Sequence, residues 1–322
     1  MNNPPVRPTL HPYLGLLLGL LAVSSASIFI RYAQADGAPS LVIAAYRLSL
    51  ATLVLLPVAL WRHWADLRRL RGREWGWVAA SGVFLGLHFG AWISSLEFTT
   101  VANSVVFVST APLFVALIAA LFLKEKLTRW VIWGLGLALV GSILVGLADA
   151  CPAEGNCPPL SAFLQGNGFL GDMLALAGAV TVAAYIIIGR TVRAGMSLIV
   201  YILLTYGTAA LTLLASVFLL RGSFAGFTPI EFGQSLMAGG LGWGVCVVLL
   251  ALVPQLMGHT AYNWALKYLP ATFVSVTVLG EPIGSIVLAY WLLGERPTMW
   301  KLIGGALILL GIVIAARRDS KS

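Results

Sequence analysis

The sequence predicts an all-α integral membrane protein whose ten transmembrane helices form two inverted-topology five-helix repeats, with both termini in the cytoplasm. Three observations predict this fold class. Only 10% of the 322 residues are charged, whereas soluble domains carry about a quarter, and the mean hydropathy is +0.93. Many apolar runs reach about 20 residues, the length at which a helix crosses roughly 30 Å of hydrocarbon. The two halves of the chain also resemble each other.

The first predicted span has the features of a cleaved signal peptide, with an apolar run followed by small residues. Its apolar character continues through Ile30, and the repeat described below needs it, so we predict a retained helix after a disordered tail at 1–12. The start of the eighth span is diffuse, because apolar character begins near Leu236. The predicted spans are 13–33, 39–60, 75–96, 102–122, 129–147, 169–189, 197–220, 244–266, 271–293 and 298–316.

Lysine and arginine set the predicted orientation, because cytoplasmic loops are enriched in both. With the N-terminus inside, fifteen of the twenty basic residues fall in cytoplasmic segments and four fall outside, while Arg47 lies within the second span. Both termini are therefore predicted to face the cytoplasm. The net charge of +8 does not indicate a nucleic-acid partner, because the basic residues cluster in loops between apolar spans. The expected partners are the lipid bilayer and a small solute.

An internal repeat appears when the chain is shifted by 170 residues. Segment 123–145 then falls on 293–315, and Pro112 falls on Pro282. The first spans of each half match more weakly at a shift near 156, which leaves about fourteen extra residues between spans seven and eight. Because each half has five spans, an odd number, the halves must cross the membrane in opposite directions. This architecture is common in secondary transporters, whose solute site lies near the midplane between the repeats.

The repeat divides the chain into five regions. The first repeat covers 13–147 and the second covers 169–316. Between them lies a predicted extracytoplasmic loop at 148–168, and a basic cytoplasmic tail follows at 317–322.

Three segments resemble the EamA family of the drug/metabolite transporter superfamily. They are "LGEPIGSIVLAYWLLGERPTMWKLIGGALILLGIVIA" at 279–315, its echo "STAPLFVALIAALFLKEKLT" at 109–128, and "ALVPQLMGHTAYNWALKYLPA" at 251–271. The resemblance spans nearly the whole chain. It implies ten helices, two repeats, a central cavity lined by spans 1, 3, 4, 6, 8 and 9, and export of small metabolites, amino acids among them. The cysteine-bearing loop and the long stretch before span eight depart from the family pattern.

Polar and ionisable groups inside spans are costly and usually face the bundle interior. Gln255, His259 and Asn263 recur at i, i+4 and i+8, which places them on one face of an α-helix. Histidine can titrate near neutral pH, but a lone intramembrane histidine is equally well explained as a neutral hydrogen bonder. The candidate cavity residues are His88, Trp92, Asn103, Phe107, Tyr185, Gln255, His259, Tyr262, Asn263, Thr277 and Glu281.

Glu281 and Pro282 stand side by side within the ninth span. Their counterparts are Ala111 and Pro112, so the predicted proline hinge is shared and the carboxylate is not. Each proline removes one helical hydrogen bond, and inside a membrane such a break is tolerated where it lines a wet cavity. Glu281 and Arg47 lie at compatible depths. Glu281 is therefore either a structural carboxylate, paired with Arg47 or bonded to backbone, or a group that takes part directly in solute binding or proton coupling, and the sequence leaves both interpretations open.

Two further features are interpreted as structural. Glu125 and Glu295 occupy equivalent span ends, beside predicted helix N-caps at Thr128 and Thr298. Cys151 and Cys157 share the loop that the charge count places outside, where an oxidising compartment would permit a disulfide. Two cysteines without a nearby histidine do not indicate a metal site, and no cofactor is predicted.

The leading functional hypothesis is a secondary transporter, with proton coupling and uncoupled movement both open. No nucleotide-binding signature is present, so ATP-driven transport by this chain alone is disfavoured. An intramembrane enzyme using His88, His259 and Glu281 is a weaker alternative, because neither HExxH nor GxSxG occurs. A channel or a structural scaffold is the remaining alternative.

Overall fold

A computed structural model describes residues 10–98, 104, 107–124, 127–150, 167–221, 223–293 and 299–315. Within these ranges every regular element is helical. The elements are α1 (Pro12–Ser24), α2 (Ala26–Ala35), α3 (Ser40–Arg62), α4 (Trp64–Arg68), α5 (Gly72–Phe98), α6 (Ala111–Ile118), π1 (Ala119–Leu123), α7 (Arg129–Ala150), α8 (Asn167–Arg193), α9 (Leu198–Arg221), α10 (Pro229–Met237), α11 (Trp243–Leu250), π2 (Ala251–His259), α12 (Thr260–Ala265), α13 (Ala271–Val278), α14 (Glu281–Leu293) and α15 (Met299–Ala315).

Seven helical segments among the described residues are long and apolar enough to cross a membrane, which makes this a multi-pass membrane protein. Three shorter apolar helices lie where the other predicted spans were placed, at 111–123, 129–141 and 302–315. The count of ten crossings and the side on which the termini lie stay predictions. The seven are 12–35, 40–62, 72–98, 168–193, 198–221, 243–265 and 271–292.

The packing of α7 against α15 agrees with the predicted inversion of the repeats. A methyl group at Gly134 would collide with the backbone of Gly311, and one at Gly141 would collide with the backbone of Gly304. Since Gly134 aligns with Gly304 and Gly141 with Gly311 in the repeat, the contacts pair each glycine with the opposite end of the equivalent helix. The two helices are therefore antiparallel and related by an approximate two-fold axis. Glycine permits this close approach, as is usual between membrane helices.

Loop residues gather at two opposite ends of the bundle, as the alternating span directions require. At one end the Trp243 N–H donates to Asp36 Oδ2 at 2.8 Å, and the Ser40 N–H donates to Glu97 Oε1 at 2.8 Å. At the other end Arg190 Nη1 donates to the carbonyl of Leu266 at 2.7 Å. The count of basic residues predicts that this second end faces the cytoplasm.

The extra residues before span eight form a separate helix, α10, which the sequence did not predict. The apolar character near Leu236 belongs to this helix and not to the start of span eight. Gly239 and Gly240 have φ of 76° and 75°, a left-handed conformation that favours glycine, and they turn the chain from α10 into α11. Aromatic contacts hold α10 against the bundle, with Phe232 stacked on Tyr46 at a centroid distance of 5.1 Å.

The two spans that carry Pro112 and Pro282 are broken rather than bent. In the second repeat α13 ends at Val278 and α14 begins at Glu281, and the Gly280 N–H donates to the carbonyl of Thr277 at 3.0 Å. In the first repeat the Thr110 N–H donates to the carbonyl of Phe107 at 3.1 Å before α6 begins at Ala111. The predicted hinges at Pro112 and Pro282 therefore lie at the start of a new helix in each half.

Two further irregularities were not predicted. The first span breaks at Ser25, whose hydroxyl donates to the carbonyl of Ala22 at 2.7 Å and so competes with the helical ladder. The eighth span contains the π-helix π2, with Pro254 inside it. A π-helix has more residues per turn than an α-helix, and such segments are frequent at functional sites.

Candidate solute-binding site

The polar centre of the molecule lies between the repeats, where α3, α5, α8 and α9 surround π2 and α12. Nearly all the predicted site residues that the structure describes come from these helices and from the break in span nine. Many of the buried polar side chains within the described spans are found among these residues, and aromatic rings pack between them.

Arg47 is fully buried in α3 and makes one side-chain hydrogen bond. Its Nε donates to Gln255 Oε1 at 2.9 Å, which joins the first repeat to π2. The guanidinium carbon lies 4.1 Å from the ring centroid of Phe89, within the range of a cation–π contact. Both terminal nitrogens of Arg47, and Nε2 of Gln255, lack a hydrogen-bond partner in the described part of the chain.

The two intramembrane histidines lie on either side of Phe89. Nδ1 of His88 lies 2.9 Å from the carbonyl of Gly178 in α8, and since a carbonyl only accepts, this nitrogen carries the hydrogen. The imidazole ring of His88 is stacked on Trp92 at a centroid distance of 6.0 Å. His259 packs edge-on against Phe89 at 5.2 Å and against Tyr262 at 6.0 Å. The histidines therefore belong to one aromatic cluster.

Asn263 is the hub of a buried hydrogen-bond network. Tyr185 donates its hydroxyl to Asn263 Oδ1 at 2.7 Å, and Asn263 Nδ2 donates to the hydroxyl of Tyr206 at 3.4 Å. The Tyr206 hydroxyl in turn donates to the carbonyl of Gln255 at 3.4 Å. Arg193 Nε donates to the carbonyl of Asn263 at 3.2 Å, which connects the network to the C-terminal end of α8.

The predicted single face of Gln255, His259 and Asn263 requires a correction. Gln255 contacts Arg47 and Asn263 contacts Tyr185, whereas the His259 ring lies against Phe89. The i, i+4 spacing assumed an α-helix, and π2 rotates the positions relative to one another. The residues still converge on the centre, but they meet different helices.

Glu281 is the first residue of α14 and is only partly buried. Its side chain makes no hydrogen bond or ion pair within the described residues, so the direct pairing with Arg47 considered above is not formed in this conformation. The Glu281 charge nevertheless interacts electrostatically with both Arg47 and Tyr262. Helix N-termini favour negative charge, whereas burial disfavours it, so the position balances two opposing influences on the carboxyl group.

Three serines fasten the break in span one to the break in span nine. The Ser24 hydroxyl donates to the carbonyl of Leu20 at 2.8 Å and shares its hydrogen with the backbone carbonyl of Glu281 at 3.3 Å, and Ser285 donates to the carbonyl of Ser24 at 2.9 Å. Ser27 and Ser285 are also in contact through their hydroxyls at 3.3 Å. Gly284 allows this approach, because a methyl group there would collide with the side chain of Ser24. The carboxylate therefore lies where two interrupted helices meet.

Some of the remaining predicted residues lie within the described part of the chain, and the others lie outside it. Phe107 is partly buried beside the first-repeat break. Thr277 is buried, and its hydroxyl donates to the carbonyl of Phe273 at 3.0 Å, so the hydroxyl hydrogen of Thr277 is already used. Thr128 accepts from the Val131 N–H at 3.3 Å, in agreement with its predicted role as an N-cap. The predictions for Asn103, Glu125, Glu295, Thr298, Cys151 and Cys157 concern positions outside the described residues.

Sequence reasoning missed Phe89, Tyr206 and the serines of span one. Phe89 was overlooked because it adjoins His88 and looks like ordinary packing. Tyr206 comes from α9, a helix outside the set that the family resemblance implied. Its signal was the spacing of Tyr201, Thr205 and Tyr206, which places hydroxyl groups on one side of an apolar helix.

An open cleft of about 500 Å³ lies at the predicted cytoplasmic end, lined by Leu123, Arg190, Thr191, Ala194 and Lys267. Its lining includes neither Tyr185 nor any of the central hydrogen-bond donors. We interpret it as a surface approach to the bundle and not as the binding site.

Comparison with known proteins agrees with this architecture. The EamA-like transporter family matches residues 11–147 and 169–317, the two halves defined above. The chain belongs to the EamA-like transporter family. It is therefore a membrane transporter of the drug/metabolite type.

Similar proteins match along most of their length. An uncharacterized transporter of Archaeoglobus fulgidus is 24% identical over 95% of this chain and 98% of its own. The uncharacterized transporter YyaM of Bacillus subtilis is 23% identical over 85% and 83%. A protein of Streptantibioticus cattleyicolor named "probable terminal-alkyne amino-acid exporter" is 23% identical over 66% and 62%. A solved crystal structure matches with a TM-score of 0.69 and 21% identity over 94% of this chain and 96% of its own, which shows a shared fold.

Proposed function

We propose that this member of the family is a secondary transporter that exports small amphipathic metabolites, with amino acids as the first class to test. Glu281, an ionisable group on a helix break between the inverted repeats, is the observation that carries the proposal. Carboxylates inside membrane spans commonly mark solute or proton pathways. The name of the Streptantibioticus cattleyicolor relative supports amino acids as a starting class.

Alternating access is the proposed mechanism, with one repeat rocking against the other around the central site. Rigid packing between α7 and α15 supports a pivot, since glycines hold these helices in close contact. The breaks at Ala111 and Glu281 support local opening, because each span consists of two short helices. We place the protein in the cytoplasmic membrane with both termini inside, on the basis of the basic-residue count.

Proton coupling is the second part of the proposal. Glu281 would carry a proton when the site is empty and a negative charge when a cationic group of the solute is bound. Competition between a proton and a solute for one carboxylate is sufficient for exchange transport. The partial burial of Glu281 and its electrostatic interaction with Arg47 support this role.

An enzymatic role has no comparable support. His88, His259 and Glu281 make no hydrogen bond to one another within the described residues, and a catalytic base must lie within hydrogen-bond reach of its partner. A scaffold would require no buried polar network, so the contacts of Asn263 favour transport over that alternative.

The test is a flux panel in proteoliposomes. Purified protein is reconstituted, and saturable uptake and counterflow of amino acids and other metabolites are measured with and without a pH gradient. We expect saturable flux of at least one amino acid and acceleration by the gradient. Glu281→Gln is expected to keep the fold while losing the response to pH, whereas Asp66→Asn on the exposed helix α4 serves as the carboxylate control. Absence of saturable flux for every solute would contradict the proposal.

A further inference from the structure

The central site has more hydrogen-bond donors than acceptors. Seven buried side-chain polar atoms lack a partner within the described part of the chain, and five of them belong to this site. All five carry hydrogen, and a buried donor without an acceptor is unfavourable. The five are Nη1 and Nη2 of Arg47, Nε2 of Gln255, Nε1 of Trp92 and the hydroxyl of Tyr262.

Arg47 is held in an orientation that leaves its terminal nitrogens without a hydrogen-bond partner in the described part of the chain. Nε is bonded to Gln255, and Phe89 covers the guanidinium. The two free nitrogens form the end of a planar fork, whose geometry matches the two oxygens of a carboxylate. Gln255 supplies a further unpaired donor from the residue that already holds Nε.

Glu281 is the acidic side chain that interacts with this site, but it accepts no hydrogen bond from these donors within the described residues. Glu281 interacts electrostatically with Arg47, yet the two side chains do not form an ion pair. The site therefore contains a basic and an acidic side chain that are not paired with each other. A zwitterion with a carboxylate at one end and an ammonium group at the other complements this arrangement.

We propose that Arg47, oriented by Gln255 and Phe89, binds the carboxylate of the solute, while Glu281 pairs with its ammonium group. This assignment rests on the proposed transport function and narrows it to solutes that carry both groups, namely free amino acids. The aromatic cluster around His259 and Trp92 then faces the apolar part of the solute. Arg47 is fully enclosed in the present conformation, so the assignment requires it to become accessible in another state of the transport cycle.

A purely structural role for Arg47 predicts different behaviour. If the guanidinium only fastened α3 to π2, its loss would weaken binding of every solute equally. If it binds the carboxylate, its loss removes the distinction between solutes that have this group and solutes that lack it. Relative affinity is therefore the informative quantity.

The experiment measures inhibition of amino-acid counterflow in proteoliposomes by four related compounds: L-phenylalanine, phenylalaninamide, phenethylamine and 3-phenylpropanoate. For the wild type we expect phenylalanine to inhibit about tenfold or more better than any of the three analogues, since each lacks one charged group. This arm needs no substitution and is unaffected by folding of a variant. Equal inhibition by phenylalaninamide and phenylalanine, or flux only of solutes without a carboxylate, would overturn the role of Arg47 and leave transport intact.

Substitution of Arg47 tests whether this residue itself recognises the carboxylate. Arg47→Lys keeps the charge but loses the fork, and we expect it to reduce the preference for phenylalanine over phenylalaninamide by about tenfold. Arg221→Lys, at the exposed end of α9, is the matched control and should keep the wild-type preference. A folded Arg47→Lys variant that retains the full preference would contradict the assignment. If no solute is carried at all, both the assignment and the transport proposal fail.

Discussion

The two repeats share their backbone irregularities but differ in the side chains placed at them. Spans four and nine both break just before a proline, and the equivalent helices α7 and α15 pack through equivalent glycines. At the break itself the first repeat has Ala111 and the second has Glu281. The helix breaks and the glycine contacts therefore occur at positions that the two repeats share, whereas the ionisable side chain occurs at a position where the repeats differ.

The same contrast appears in spans three and eight. The repeat aligns Leu85 with Gln255 and Ile93 with Asn263. In each pair the first-repeat residue is buried and apolar, while the second-repeat residue has hydrogen bonds to Arg47 or Tyr185. Replacing a second-repeat residue by its first-repeat counterpart therefore tests what the asymmetry contributes.

The largest effect is expected at Gly284, whose counterpart is Phe114. In Gly284→Phe the new ring has no space against Ser24, so the contact between the two helix breaks is lost. Overpacking costs about 1–3 kcal/mol, occasionally more, and thermal unfolding in nanodiscs should show a clear drop in Tm. Gly136→Phe on the open face of α7, where no atom lies near the position of an added Cβ, is the control. Similar Tm values for both variants would show that the serine contact is dispensable.

A smaller effect is expected for Asn263→Ile, which copies Ile93. The Tyr185 hydroxyl loses its acceptor, whereas the Tyr206 hydroxyl keeps the carbonyl of Gln255, and leaving a buried polar group unpaired costs about 1–3 kcal/mol. A double-mutant cycle with Tyr185→Phe isolates the direct bond, for which we expect a coupling of about 0.5–1.5 kcal/mol in the free energy of unfolding. Additive effects of the two substitutions would indicate that the bond contributes nothing.

The smallest effect concerns α10, which the first repeat lacks. The hydroxyl and the N–H of Thr228 each donate to Glu231 Oε2 at 2.6 Å, and these bonds lower the pKa of the Glu231 carboxyl below its ordinary value of 4.5. A lowered pKa stabilises the folded helix above the ordinary pKa, and this contribution is lost as the pH falls through the lowered one. Protection of α10 amides from hydrogen exchange should therefore fall in Thr228→Ala at neutral pH, and in the wild type only as the pH drops below the ordinary carboxyl value of 4.5. Gln234→Ala, on the exposed side of α10, should leave exchange unchanged.

How much of this could be predicted varied with the kind of feature. The spans, the repeat and the two proline breaks follow from hydropathy, spacing and proline chemistry, which are local properties. The π-helix π2 was missed because it depends on how Pro254 is accommodated between neighbouring helices. The hydrogen bond between Arg47 and Gln255 was also missed, because it joins residues 208 positions apart. Sequence spacing along one helix could identify the polar residues but not their partners on other helices.

The measurement that tests the central claim most directly is amino-acid counterflow by Glu281→Ala, which makes the two breaks identical at this position. We expect Glu281→Ala to fold, with the size-exclusion elution of the wild type and a Tm near that of the wild type. Its flux is expected to fall by about tenfold or more, because the substitution removes the charge and leaves the helix break in place. Ala111→Glu, the reverse exchange in the first repeat, is predicted not to restore flux when combined with it. Wild-type flux in Glu281→Ala would contradict the claim that the asymmetric carboxylate carries the function.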